Sequence, residues 1–185
     1  MTDQPDRLAT VADTTPTTGL GRVLADMAVE AALAPWRFVT EGAEISPEAA
    51  ALRPELLVDA WVFDPTLNYT LLVEHPRRGW VMPGGKVEPD ELVREAARRE
   101  LHEETGVLVS PDLLKAAAVG SGFDGPRPWF AIAFEVLVPM DTALTPERGR
   151  AVQWWSLDDS WLSVYPHDRE RLIRHVSTRR PGTGS

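Results

Sequence analysis

The sequence predicts an α/β protein, a mixed sheet sandwiched between helices, and three observations carry that expectation. Short apolar, β-branched runs such as Leu56 to Phe63 are interleaved with segments of helical periodicity such as Leu20 to Leu33. No internal repeat is visible. The 185 residues, 43% hydrophobic and 25% charged, suit one globular domain with terminal extensions, long enough to bury a core without covalent staples.

Taken in order, residues 1 to 19 are polar, rich in Thr, Asp and Pro, and read as a disordered leader. Leu20, Val23, Leu24, Met27, Ala28 and Ala31 recur at helical spacing up to Leu33, and Pro35 ends that helix. Trp36 to Val39 reads as a short strand, and a helical stretch opens at Ser46-Pro47 and runs to Leu52. Residues 20 to 54 thus form a helical extension ahead of a main domain at 55 to 178. Strands follow at Leu56 to Phe63, stopped by Asp64-Pro65, and at Tyr69 to Val73. The polar turn HPRRG precedes a brief strand at Trp80 to Met82, which leads into Pro83-Gly84-Gly85. A helix is expected over Pro89 to Thr105, with proline in its first turn and Gly106 beyond its end. Three later strands, Leu114 to Val119, Trp129 to Val138 and Ala151 to Leu157, precede a closing helix over Asp168 to Val176 and a loose tail at 179 to 185.

Composition excludes several functions. With no cysteine, the chain has no disulfide, thiolate metal site or cysteine nucleophile, which fits a cytoplasmic protein. A net charge of −9 argues against duplex nucleic acid as a partner but not against a small anion, because divalent metals reverse the potential of an acidic site. No run is long and apolar enough to cross a bilayer, and the first residues lack the order of a secretion signal.

The chemistry is concentrated in Gly84 to Val107, GGKVEPDELVREAARRELHEETGV. Glu100, Glu103 and Glu104 stand at i, i+3 and i+4, so on a helix they share an arc of roughly 100°. Three like charges so placed repel. An acidic helix face is ordinarily just solvated, but here Gly84-Gly85 lies between a strand and the helix, where glycine permits close approach to a ligand and its carbonyl can join a metal shell. Oxygen-only ligands suit Mg²⁺ or Mn²⁺. Arg99 adjoins Glu100 and is placed to fork onto a carboxylate. Glu91 falls near the amino end of the expected helix, favoured there by the dipole, and Gly106 is its left-handed cap.

This segment resembles the Nudix box. Gly85, Glu91, Arg99, Glu100, Leu101, Glu103, Glu104, Gly106 and Val107 fill every defined position of that pattern, a coincidence on the order of one in ten million at average residue usage. LLVEHPRRGWVMPGG before the box and VQWWSLDD after it resemble the flanks of the family more weakly. The resemblance implies a Nudix-type α/β/α sandwich with a mixed β-sheet. It implies metal-dependent hydrolysis of a phosphoanhydride in a nucleoside diphosphate derivative, by water attack at phosphorus. It implies that Glu100, Glu103, Glu104 and the Gly85 carbonyl hold Mg²⁺ or Mn²⁺, that Arg99 orients the glutamates, and that Glu91 is structural. Family members differ in the general base, which is a box glutamate or an acid from another loop; Glu147, in the loop before the last strand, is the candidate for such a loop acid. Lys86, Arg77 and Arg78 are candidates for phosphate contact, and Trp129, Phe130, Trp154 or Trp155 for stacking on a nucleobase.

The marks of several subfamilies are missing. The proline of ADP-ribose-cleaving members falls at Phe123, the tyrosine of the dinucleoside polyphosphate type at Asp124, GSGFDGPRPWF does not match the NADH-cleaving run, and the coenzyme A mark is absent. The isomerase relatives need a cysteine. Nucleoside triphosphates, oxidised ones included, and nucleotide sugars stay open as substrates. The alternative is a non-catalytic nucleotide-sensing module, against which the intact box argues. For the helix before Pro35, packing on the sandwich and homodimer formation are both expectations.

Overall fold

Leu56 to Phe63 carries apolar side chains on both faces, and it becomes the centre of the molecule. The computed structural model describes residues 19–39, 53–124 and 127–179. Its elements are α1 (Gly19–Leu33), β1 (Trp36–Val39), β2 (Glu55–Phe63), β3 (Tyr69–His75), β4 (Gly79–Val81), β5 (Gly84–Lys86), α2 (Val93–Thr105), β6 (Lys115–Asp124), β7 (Arg127–Leu137), β8 (Val152–Ser156) and α3 (Asp168–Arg179). The expected leader before Gly19, the helical stretch at 46–52 and the tail after Arg179 lie outside the described residues.

The sheet is mixed. Its strand order is β1-β6-β7-β2-β3-β4, with β5 beside β2 and β8 beside β3. β2 runs parallel to β7 along its full length, and β1 is parallel to β6. The other pairings are antiparallel. On one side β2 is shared: Leu57 to Asp59 pair with β5, and Phe63 pairs with β3.

Side chains of β2 alternate between two cores, as the pleat demands. Val58, Ala60 and Val62 pack with Val93, Ala96, Ala97 and Leu101 of α2 and with Met27 and Ala31 of α1. Trp61 and Phe63 pack with Leu172 and Val176 of α3. Two helices on one face and one on the other make the α/β/α sandwich that the sequence predicted. α1 is also fastened electrostatically, its buried Glu30 accepting Arg94 Nε at 2.5 Å and Nη2 at 3.0 Å.

Four elements differ from expectation. α2 starts at Val93 rather than Pro89, because Asp90 adopts φ 67° and Leu92 is extended at φ −75°, ψ 147°. No side chain of its own caps it; Asp26 of α1 accepts the Val93 N–H at 2.8 Å instead. Gly84–Lys86, expected as loop, is a strand because β2 offers it a ladder. β6 continues five residues past Val119 to Asp124; Gly120, which strand propensity disfavours, is accommodated because the Phe38 ring fills the space its missing side chain leaves. α3 likewise runs past Val176 to Arg179, whose Nη2 reaches Glu135 at 3.1 Å.

The borrowed cap gives a test. Replacing Asp26 with Ala should cost about 1 kcal/mol in urea unfolding, the ordinary worth of an N-cap. Asp26→Asn should retain most of it; equal losses for both would remove capping as the reason for Asp26.

Candidate active site

The motif segment runs from β5 through a turn into α2, and it ends where Gly106, at φ 77°, returns its N–H to the His102 carbonyl at 2.8 Å. Gly84 and Gly85 are pressed by carboxylates. The Gly84 N–H donates to Glu104 Oε2 at 3.0 Å. A Cβ on Gly85 would lie 2.3 Å from Glu100 Oε1, so only glycine lets that carboxylate rest against the strand. The side chains of Glu100 and Glu104 are 15% and 11% exposed, whereas Glu103 is 55% exposed. Two of the three expected ligands are therefore partly withdrawn from water and the third is not.

Arg99 ties the acids together. Nε and Nη2 fork onto Glu91 at 2.8 and 2.9 Å, Nη1 donates to Glu100 at 2.8 Å and to Glu103 at 3.2 Å, and Nη2 also reaches the Lys86 carbonyl at 3.0 Å. The forked arrangement expected of Arg99 is present, but its partner is Glu91. Glu91 lies in the turn ahead of α2, not in the first helical turn, so the Arg99 fork rather than the helix dipole holds it in place. Burial works against its charge, yet the Arg99 bonds outweigh burial and its pKa falls below the usual glutamate range. For Glu100 the balance goes the other way: burial raises its pKa despite Arg99.

Arg150 serves the other carboxylate. Its Nη1 hydrogen-bonds Glu104 Oε1, and its Nε reaches Glu147 at 3.2 Å. Burial still leaves the Glu104 pKa raised. Among the described residues no three acidic side chains gather closely enough to hold one ion. Arginine N–H groups stand at the carboxylates that the sequence offered as ligands. The donor chemistry nevertheless fits a hard divalent cation. The ligands on offer are oxygens alone, Gly85 leaves the room, and Glu100 and Glu104 stay incompletely compensated by their arginines.

Asp59 was not singled out in the sequence, where it looks like one polar residue in an apolar strand. It pairs with Gly84 across β2 and β5, with its Oδ1 2.8 Å from a Cβ placed on that glycine. Burial first, then Asp168 and Glu104, push its pKa up to about 7. Burial also lifts Asp168, at the start of α3, to about 6. The only available signal was a charge inside a run otherwise suited to the core. Nearby cations converge as well: burial lowers the pKa of His75, and Arg78, Arg150 and Arg77 lower it further.

The family model described as the NUDIX domain matches residues 53–176. The chain belongs to the Nudix family. It is 62% identical over 49 residues to the Bacillus subtilis protein named "Putative 8-oxo-dGTP diphosphatase YtkD", a match covering 26% of this chain and 31% of that one. It is 53% identical over 50 residues to the uncharacterized Nudix hydrolase YvcI of the same organism, covering 26% and 32%. A MutT Nudix hydrolase from Burkholderia pseudomallei superposes with a TM-score of 0.56 at 25% identity, over 66% of this chain and 98% of that one. The matches thus span about a third of the length of these curated relatives.

The remaining candidates fall at different distances from the Nudix box. Glu147 is brought beside it: the loop before β8 docks on the end of α2 through Thr145 N–H to Thr105 O at 2.8 Å and Glu147 N–H to Glu104 O at 3.4 Å. Lys86 Nζ is occupied by Glu55 at 2.6 Å and is 66% exposed. Arg77 lies exposed in the turn after β3, its N–H on His75 Nδ1 at 3.2 Å. Trp129 is not brought to the box; with Leu24, Met27, Ala28, Pro54, Leu56 and Phe130 it lines an apolar groove of about 380 Å³ beside α1. Trp154 packs into the core under α2, and Trp155 meets Trp80 edge-on at 5.2 Å.

Asp59 makes the metal-free protein sensitive to pH. Its pKa rises from 3.8 to about 7 on folding, so the native state holds more protons than the unfolded chain across that interval. Stability in chelator should therefore fall as pH rises from about 4 to 7, with Asp168 contributing up to about pH 6. Asp59→Asn should flatten the decline by about 1–3 kcal/mol in denaturant titrations at the two ends; an unchanged slope would clear Asp59.

Proposed function

We propose that the chain is a divalent-metal-dependent hydrolase that cleaves a phosphoanhydride bond in a nucleoside diphosphate derivative. The observation that carries this reading is the pair of largely buried box carboxylates, Glu100 and Glu104, pressed against the Gly84-Gly85 backbone and incompletely neutralised there. Membership of the Nudix family supports it.

In this reading Glu100, Glu104 and the Gly85 carbonyl hold Mg²⁺ or Mn²⁺, with Glu103 turning in from its exposed position. When bound, the cation cancels phosphate charge and lowers the pKa of a coordinated water. Water adds to phosphorus, the bridging P–O bond breaks, and the phosphate leaves as an anion. Arg99 keeps Glu100 oriented, and Glu91 keeps Arg99 oriented. Glu147, beside Glu104 and half-exposed, is the general base. Arg77, Arg78 and Lys86 supply positive potential for the polyphosphate. Of the two substrate classes open in the sequence, the nucleoside triphosphate is favoured, since the name of YtkD refers to 8-oxo-dGTP.

Phosphate release with Mg²⁺ over a panel of nucleoside triphosphates, 8-oxo-dGTP and nucleotide sugars tests this. Glu100→Gln and Glu104→Gln should each lose on the order of 10²–10³ in turnover, the usual worth of a charged group acting at the transition state, with circular dichroism unchanged. A wild-type protein that binds a nucleotide and cleaves none of the panel would be a nucleotide-sensing module instead.

A further inference from the structure

Arg150 has no place in the family pattern read from the sequence, yet it holds the one oxygen of Glu104 that the backbone does not. Glu104 Oε2 is taken by the Gly84 N–H at 3.0 Å, and Oε1 by Arg150 Nη1. A cation binding Glu104 through Oε1 therefore competes with the guanidinium for that oxygen. A divalent ion and a guanidinium sharing one carboxylate oxygen repel strongly in a half-buried setting. One of them must give way.

The backbone of the loop is pinned. Thr145 N–H bonds Thr105 O at 2.8 Å, Arg150 N–H bonds Glu147 O at 3.0 Å, and Glu74 N–H bonds Ala151 O at 2.8 Å. Thr145 also fits against Gly106 so closely that a Cβ there would lie 2.7 Å from it. Movement is left to the Arg150 side chain, which is long, 26% exposed, and tethered at Nε only to Glu147, itself 51% exposed. The direction it would take is set by charge. Arg77 and Arg78 act with Arg150 to lower the His75 pKa, so a guanidinium released from Glu104 into that positive field gains only when an anion joins it.

We propose that Arg150 is an exchangeable counter-ion: it neutralises Glu104 in the metal-free protein, and once a divalent cation takes Glu104 it turns to a phosphate of the substrate. A guanidinium is well matched to this second role, since its fork geometry fits phosphate oxygens. The proposal rests on the metal-dependent reading above. It adds that the two partners of Arg150 succeed one another, so removing Arg150 has opposite effects on metal and on substrate.

The test measures Mn²⁺ binding without nucleotide, from the free-ion signal in electron paramagnetic resonance, and separately KM and kcat with a nucleoside triphosphate. Arg150→Ala should bind Mn²⁺ about fivefold more tightly, because a partly exposed competing ion pair is gone. Its KM should rise about tenfold, because a phosphate contact is gone. Arg150→Lys, which keeps the charge and lies closer to the native packing, should bind Mn²⁺ as the wild type does and show a smaller rise in KM. A purely structural Arg150 would weaken both affinities together in the alanine variant, and that result overturns the exchange, as does an unchanged KM. A wild-type protein that binds no Mn²⁺ sinks the exchange and the metal-dependent reading together. Wild-type binding and cleavage, with Mn²⁺ affinity unmoved in Arg150→Ala, sinks the exchange alone.

Discussion

Two carboxylates held half out of water against a glycine backbone set the terms for everything around them. Transferring a carboxylate into such a place is costly unless donors meet it. Glu104 receives a backbone N–H and a guanidinium, and Glu100 receives a guanidinium. Neither set is complete, which is why burial still raises both pKa values. The residual imbalance favours positive charge beside these two helix carboxylates.

The architecture follows from placing those groups. β2 divides its edge between β3 and β5, so that β5 is carried under the end of α2. A side chain on Gly85 would strike Glu100, and one on Gly84 would strike the Val58 carbonyl at 2.3 Å. α2 must start late enough for Glu91 to stay in the turn and meet Arg99 from the side. It therefore gives up a cap of its own and takes one from Asp26. In this way α1, which lies outside the box, is tied to the element that presents the acids.

The charge pattern around the box is layered. Arg99 is committed to four partners, Glu91, Glu100, Glu103 and the Lys86 carbonyl, and Glu91 and Glu100 hold its pKa above the ordinary arginine value. Arg150, by contrast, has two carboxylates and a path to solvent. One arginine therefore fixes the geometry and the other is free to leave. Asp59 is buried beside this layer, and Asp168 and Glu104 add to its cost of ionising more than Arg171 and Arg78 relieve it.

The sequence alone determined the elements and the chemical theme. Periodicity at 3.6 placed α1, the start and stop residues Pro89 and Gly106 bracketed α2, apolar runs placed β2 and β7, and the spacing of Glu100, Glu103 and Glu104 marked the acidic face, because each of these signals is local in the chain. It could not show that Gly84–Lys86 is a strand, since glycine has no strand preference and only the β2 ladder imposes one. It could not separate Lys86, engaged with distant Glu55, from Arg150, engaged with Glu104 from 46 residues away. Trp129 looked as suited to a base as any tryptophan, and its neighbours in space put it by α1. Asp59 showed only as a charge inside an apolar run, because the burial and like charge that perturb it come from α2 and α3. What the fold decided is thus which charges meet, since a pKa or an ion pair depends on separation through space, and residues far apart in the chain acquire that only when the sheet and helices close together.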